Sequence, residues 1–327
     1  MFIESMKALY FDGKKAVYKE DLPLPQRRPG DSLIKVVVAD ICSTDKEILK
    51  GYRPDFKGVM GHEFCGIVEE SPDPALVGKL VVGEINEGCG DCLYCRTGRE
   101  KHCLLRQTLG MSRDGCFAEY LAMPTRLLHV VPEGLSPEKA VFTEPLAAAF
   151  EITEQVKIEP GMDVCVVGDG RLSLMIAQVL ALTGAKLTVI GRHPEKLDMY
   201  KTFARTVLET EYRTESGGVK DLTADECFDV VVDATGSRSG IELSMALVRK
   251  MGTIVLKSTY AGKTELDLSL IPVGEISIVG SRCGPFEPAL RLLSEGKVQF
   301  PPVELYELAD WEKAFASAAF KAGFSFE

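Results

Sequence analysis

Cys89, Cys92, Cys95 and Cys103 follow one another in the spacing C-x2-C-x2-C-x7-C, in a stretch that also holds Gly88, Gly90 and Gly98. Four thiolates at such short intervals can converge on one tetrahedral ion, the arrangement of a closed structural zinc site. The glycines permit the tight bends that wrapping an ion needs. Two local disulfides or four buried free thiols are the competing readings. The chain has ten cysteines, and its start, Met1-Phe2-Ile3-Glu4-Ser5-Met6-Lys7, lacks the charged head and apolar core of a secretion signal. Both observations indicate a reducing compartment, which disfavours disulfides. Residues 86–105 are therefore expected to form a lobe organised around a metal.

A second set of ligand-type residues flanks that lobe. Cys42 follows the apolar run Leu33-Ile34-Lys35-Val36-Val37-Val38, His62 and Glu63 precede another at Ile67-Val68, and Glu144 comes further on. Sulfur, imidazole nitrogen and carboxylate oxygen are the donors of a catalytic zinc, which keeps one position open for water or substrate. A lone histidine is more often an ordinary hydrogen-bonded side chain than a ligand. His62 gains weight only from its order relative to the four cysteines.

In sequence order, Cys42-Ser43-Thr44-Asp45, Gly61-His62-Glu63, the four-cysteine lobe, Thr143-Glu144-Pro145-Leu146-Ala147 and a glycine-rich turn resemble the motifs of the zinc-containing medium-chain alcohol and polyol dehydrogenases. The resemblance spans nearly the whole chain, and its Glu-Pro-Leu-Ala form is most similar to the sorbitol and threonine dehydrogenase branches. It implies an α/β protein in which a doubly wound parallel (Rossmann) sheet is inserted into a β-rich GroES-like catalytic domain. The implied metal ligands are Cys42 and His62, with Glu63 or Glu144 directly or through water, and Cys89, Cys92, Cys95 and Cys103 in the lobe. Thr44 would hand the substrate proton toward the cofactor ribose, and Asp45 would orient a ligand or its neighbour. Glu47 stands where many relatives carry a histidine that finishes the proton relay. From the residues alone, Thr44 could equally cap the turn after its strand. The implied reaction is hydride transfer between a nicotinamide cofactor and a small alcohol or polyol, or its carbonyl counterpart, with zinc polarising the substrate oxygen.

A chain of 327 residues exceeds what one core usually absorbs, so two domains are expected. Residues 1–145 and 284–327 are assigned to the catalytic domain, and 146–283 to the dinucleotide-binding domain. The net charge of -10 argues against nucleic acid or an anionic membrane as partner, and no apolar stretch is long enough to span a bilayer. The expected partner is a small-molecule substrate and the expected location cytoplasmic. Cys65, Cys116, Cys165, Cys227 and Cys283 fall outside the metal patterns and should pack as small hydrophobes.

After Glu159-Pro160-Gly161 the pattern alternates strand and helix. Strands are expected at 164–167, 186–190, 228–233, 252–256 and 275–280. Helices are expected at 172–182, closed by Gly184, and from Pro194. Earlier, Ser136-Pro137 and Pro145 each read as a helix start. This rhythm demands a parallel sheet. In the turn Gly168-Asp169-Gly170-Arg171-Leu172-Ser173, the first glycine permits the bend and the second admits a pyrophosphate at the helix N-terminus. Ser173 replaces the usual third glycine. Asp169 is odd, because a carboxylate beside a pyrophosphate is repulsive, and Arg171 is available to offset it.

The tip of the second strand, Gly191-Arg192-His193-Pro194-Glu195-Lys196, offers no acid for a ribose 2′-hydroxyl. Arg192 can pair with a 2′-phosphate, and His193 and Lys196 add positive charge, so NADP is favoured over NAD. A solvated basic turn is the competing reading. Thr235 and Gly236 complete the expected cofactor set.

Other functional readings are a redox-neutral eliminase, a tetrapyrrole side-chain dehydrogenase, and a non-catalytic dinucleotide sensor suggested by Asp169 and Ser173. An open metal position at Cys42, His62 and Glu144 weighs against the sensor. The run Ile276-Ser277-Ile278-Val279 is expected to close one side of the cofactor sheet, and an uncovered apolar edge needs a partner. Relatives pair this edge across a two-fold axis, so a homodimer or homotetramer is expected. A C-terminal tail folded over the edge would instead leave a monomer.

Overall fold

The computed structural model describes residues 5–259 and 263–326; residues 1–4, on which the reading of the chain start partly rests, lie outside that range. The chain divides into two compact units, Met1–Glu144 with Phe286–Glu327, and Pro145–Pro285. No helix among the described residues is long and apolar enough to cross a membrane.

The first unit is built on a seven-stranded sheet around strand Asp31–Asp40. Ile34, Val36 and Val38 are buried while the residues between them are half-buried, the period of two that sets one face of a strand on a core. Asp31–Asp40 pairs antiparallel with Glu63–Glu70, which puts Asp40 opposite Glu63. It also pairs with Tyr120–Pro124 and, from the far end of the chain, with Ala322–Ser325. Glu304–Tyr306 adds a further strand beside Ala322–Ser325. Phe324 packs edge-on against Phe117 at 5.0 Å between ring centres and fixes the returning tail. The tail strands thus complete the first sheet.

The second unit is a six-stranded parallel sheet. Its order is Arg205–Leu208, Lys186–Gly191, Asp163–Val167, Phe228–Asp233, Val248–Leu256, Ser277–Gly280. Val164, Cys165, Val166 and Val167 are all buried, so the central strand is covered on both faces, as parallel sheets require. Helices Arg171–Ala181 and Arg238–Leu247 supply apolar faces that include Leu174, Ile176, Leu180, Ile241 and Leu247.

Several boundaries differ from expectation. The helix expected from Pro145 begins at Thr143, because a proline in the first turn loses no hydrogen bond. Ser136 does precede helix Pro137–Ala140, but its hydroxyl makes no capping bond. The last strand starts at Ser277 because Glu275, at φ 51°, turns left-handed and ends helix Leu270–Gly274. Strand Arg205–Leu208 had no expectation; four residues flanked by charge carry little periodic signal. Ser277–Gly280 is the opposite edge, and among the described residues no strand pairs with its outer side.

Candidate functional site

The four lobe cysteines place their sulfurs within 4.8 Å of one another, and all four are free thiols. Cys92 and Cys95 sulfurs are 3.5 Å apart, and Cys89 and Cys95 sulfurs 3.9 Å. A tetrahedron with Zn–S of about 2.3 Å has edges of about 3.8 Å, so the spacing suits zinc. It is far from the roughly 2.05 Å of a disulfide bond, which removes that alternative. The backbone amides of Asp91 and Cys92 bring the Cys89 thiol down to about 6. Burial raises the Cys95 thiol to about 12, leaving its proton to be displaced by a metal. Residue 88 must be glycine: a Cβ there would lie 2.6 Å from the Cys95 sulfur.

The second centre is assembled from strand ends. Cys42 caps helix Ser43–Leu49 just beyond strand Asp31–Asp40, while Glu63 opens the neighbouring strand and His62 immediately precedes it. Their ligand atoms also lie within 4.8 Å of one another. Asp45, fully buried, accepts the Cys42 N–H at 2.8 Å and faces His62 Nδ1 at 3.3 Å. It therefore ties the backbone of one donor to the ring of the other and leaves His62 Nε2 for a metal. Burial disfavours the imidazolium, yet Asp45 and Cys42 outweigh it, and within the chain itself the ring keeps its proton well above the ordinary histidine range. Metal binding must displace that proton.

The Glu63 carboxylate is paired with Lys321, and both are buried. Burial opposes the lysine's charge, but Glu63, Asp40 and Cys42 hold it charged. The Asp40 carboxylate lies against Gly323 on the returning strand. Lys321 had no place in the sequence reading. Its available signal was a lysine inside the apolar run Phe320-Lys321-Ala322-Gly323-Phe324, since lysine is rarely buried without a partner. Glu144 sits in the first turn of helix Thr143–Gln155 and is not part of the three-donor cluster. Thr44 Oγ1 lies 3.7 Å from the Cys42 sulfur. Glu47 is on the exposed side of its helix, paired with Lys50 at 2.8 Å.

Of the remaining cysteines, Cys65, Cys116 and Cys165 are fully buried and burial pushes each thiol up. Cys227 and Cys283 are only half-buried, and the Cys227 thiol contacts the Thr223 and Ala246 carbonyls instead of an apolar core.

In the second unit, Gly168 turns at φ 121° between strand and helix. Gly170 caps helix Arg171–Ala181, and a Cβ there would meet nothing within 4 Å. This open approach to the N–H groups of an eleven-residue helix fits a pyrophosphate. Ser173 is buried, and its hydroxyl has no partner among the described residues. Asp169 reaches the tip of the second strand. Its carboxylate accepts the N–H groups of Arg192 at 2.6 Å and His193 at 2.8 Å, and meets His193 Nδ1 at 3.0 Å. Asp169 thus staples the tip of the second strand. Lys196 is exposed on the short helix Pro194–Leu197. Thr235 donates from its backbone and hydroxyl to Asp233, and Gly236 follows at φ 66°. Arg192 is engaged by Glu209 and Ser239, neither of which the sequence reading named.

Residues 28–133 match the family described as Alcohol dehydrogenase GroES-like domain, and residues 172–295 the family described as Zinc-binding dehydrogenase. The sorbitol dehydrogenase of Halalkalibacterium halodurans is 30% identical over 89% of this chain and 90% of its own. The L-threonine 3-dehydrogenase of Bacillus licheniformis is 30% identical over 95% of each. A zinc-binding dehydrogenase of Sinorhizobium meliloti 1021, solved bound to NADP, superposes with a TM-score of 0.87 at 26% identity, over 98% of this chain and 99% of that one. This chain belongs to the zinc-containing medium-chain dehydrogenases, with their GroES-like and Rossmann-type fold. Within them it is an oxidoreductase of the alcohol and polyol dehydrogenase type, dependent on zinc and NAD(P).

Proposed function

We propose that this chain interconverts a small polyol or secondary alcohol with its carbonyl counterpart, with NADP favoured over NAD. The observation that carries this reading is the trio of buried His62 and Glu63 with half-buried Cys42, in which Asp45 meets both Cys42 and His62. Bound to the two sites, zinc supplies Lewis acidity at the substrate oxygen and the nicotinamide takes up or gives the hydride. Cys42 and His62 hold the metal, and Glu63 is the third donor in reach. Lys321 neutralises Glu63 and competes for its carboxylate, which leaves room for Glu144 or water as the alternative donor. Thr44, beside the Cys42 sulfur, receives the substrate proton. Glu47, at 52% exposure, ends the relay at solvent. Residues 1–145 and 284–327 carry the chemistry and 146–283 bind the dinucleotide, through Gly168, Gly170, Arg171, Ser173, Arg192, His193, Lys196, Thr235 and Gly236. The free lobe thiols suit the cytoplasm.

Nicotinamide absorbance is the assay: a panel of polyols and secondary alcohols is offered with each cofactor. Turnover that requires His62 and is faster with NADP supports the reading. A panel that stays silent with both cofactors, in protein holding two metals, overturns it. We also propose a homodimer or homotetramer built on the unpaired edge Ser277–Gly280, beside which Leu270 and Val273 are exposed. Monomeric mass in light scattering at micromolar concentration would remove that part.

A further inference from the structure

Arg192 does not wait free for a phosphate. Its Nε donates to Glu209 Oε2 at 2.5 Å, and its Nη2 donates to Ser239 Oγ at 2.7 Å. Strand Arg205–Leu208 runs beside Lys186–Gly191 with Leu208 opposite Gly191, so adjacent strand tips bring Arg192 and Glu209 together, while Ser239 comes from helix Arg238–Leu247. Glu209 is only 12% exposed. From its other side Arg213 donates through Nε at 2.9 Å and Nη2 at 2.6 Å, and Arg213 is itself braced on the Ser239 carbonyl at 2.8 Å. One carboxylate is thus gripped by two guanidiniums, at the place where a second anion would claim the same Arg192.

We infer that Glu209 is an internal stand-in for the 2′-phosphate. It satisfies Arg192 when the adenosine ribose carries only a hydroxyl, and it opposes a phosphate that arrives there. The inference rests on the reading of Arg192 as the phosphate-recognising residue. Its consequence is a compressed preference: NADPH binds less tightly than two arginines would allow, and NADH is spared an unpaired guanidinium. The charges decide the sign. Arg192 and Arg213 carry two positive charges, Glu209 removes one, and a phosphate must meet the remainder. Were Glu209 chiefly a brace for Arg192, its loss would weaken NADPH instead. Ordering one long side chain is worth at most roughly tenfold in affinity. Ser239 would still hold Arg192 without Glu209, and a glutamine would keep a carbonyl acceptor in place. Removing the like charge is therefore the larger effect.

The test is titration of the full-length protein with NADPH, NADH, adenosine 2′,5′-bisphosphate and 5′-AMP, followed by calorimetry. Glu209→Gln should tighten NADPH and the bisphosphate by about tenfold and change NADH and 5′-AMP by less than about twofold. In an Arg192→Ala background the gain should vanish. Weaker binding of all four ligands by Glu209→Gln, or a gain that survives without Arg192, overturns the inference. If Arg192→Ala alone leaves NADPH binding unchanged, the phosphate reading itself is wrong. If that change weakens NADPH but Glu209→Gln tightens nothing, only the role of Glu209 falls. Arg192→Gln, which removes the charge and keeps most of the side chain's length, gives the same arms should the alanine variant fail to fold.

Discussion

The two metal constellations are built in opposite ways. The lobe draws all its donors from Cys89 to Cys103, and between those residues the regular structure is one four-residue helix and a short 3-10 turn. Leu93, Leu104 and Leu105 are 64%, 88% and 74% exposed, so no apolar core of its own holds it together. The other centre is largely buried, and its supporting charges come from both ends of the chain: Asp40 on strand Asp31–Asp40, Asp45 on the helix that follows it, and Lys321 just before the strand that pairs with Asp31–Asp40. A site whose donors are neighbours in sequence gains its order from the metal. A site whose donors meet through a sheet is ordered by the fold and then receives the metal.

The largest expected effect follows from the lobe. Structural zinc in small domains contributes about 10–16 kcal/mol of apparent binding, most of it folding energy. Cys103→Ser should therefore cost one of two zinc ions, unravel the lobe and leave little soluble protein. His62→Ala should cost the other ion and leave the thermal transition within a few degrees. Elemental analysis and calorimetry read both, and a His62→Ala protein that unfolds as readily as Cys103→Ser would erase the contrast.

Next in size is Lys321→Met. It leaves the buried Glu63 carboxylate without its cation, and breaking a buried pair typically costs about 3–5 kcal/mol. Urea unfolding should show that loss and a partial recovery when Glu63→Gln is added. A single-variant loss below about 1 kcal/mol would mean that the buried centre tolerates an unpaired charge, against what burial implies.

Asp45→Asn should act more narrowly. Residues that orient a metal ligand are worth about 10–100-fold in metal affinity. Competition with a chelator should release the zinc of the buried centre that much more easily and leave the lobe zinc unchanged. Equal weakening of both ions would show that Asp45 acts on the whole unit and not on His62 and Cys42.

What could be read from sequence follows the same division. The Cys89–Cys103 spacing, the Gly168 turn and the strand rhythm from Val164 onward are short-range patterns, so their elements were legible to within a few residues. That Cys42 and His62 come together was legible from their order relative to the four lobe cysteines. Lys321 was not, because its meaning depends on Ala322–Ser325 pairing with Asp31–Asp40, and nothing near it in sequence says so. The contacts of Asp169 were hidden for a related reason: its side chain crosses to the tip of the adjacent strand, more than twenty residues on. Glu209 follows a strand too short to register.

Asp169 allows the comparison to be sharpened where no metal contributes. Like Asp45, it is a carboxylate that accepts from the backbone and meets a histidine ring, but it lies in the other unit and accepts two N–H groups where Asp45 accepts that of Cys42. Its side chain is 10% exposed. Burial raises its carboxyl, but the His193 and Arg192 donors prevail and hold it below 3.8. A depressed folded value means that the stabilisation is complete above the unfolded value of 3.8 and is lost as pH falls through the folded one. Asp169→Asn should therefore cost about 1–2 kcal/mol near neutral pH, the worth of hydrogen bonds to a charged acceptor less what the amide oxygen retains. Against the parent protein, that difference should stay constant down to about pH 5 and narrow below 3.8. Comparing the two proteins at each pH cancels the acid loss of zinc, which both share. A difference that is independent of pH would show the staple to be one of shape, since an asparagine removes the charge and keeps the outline; a narrowing gap would show that the charge on Asp169 holds the strand tip.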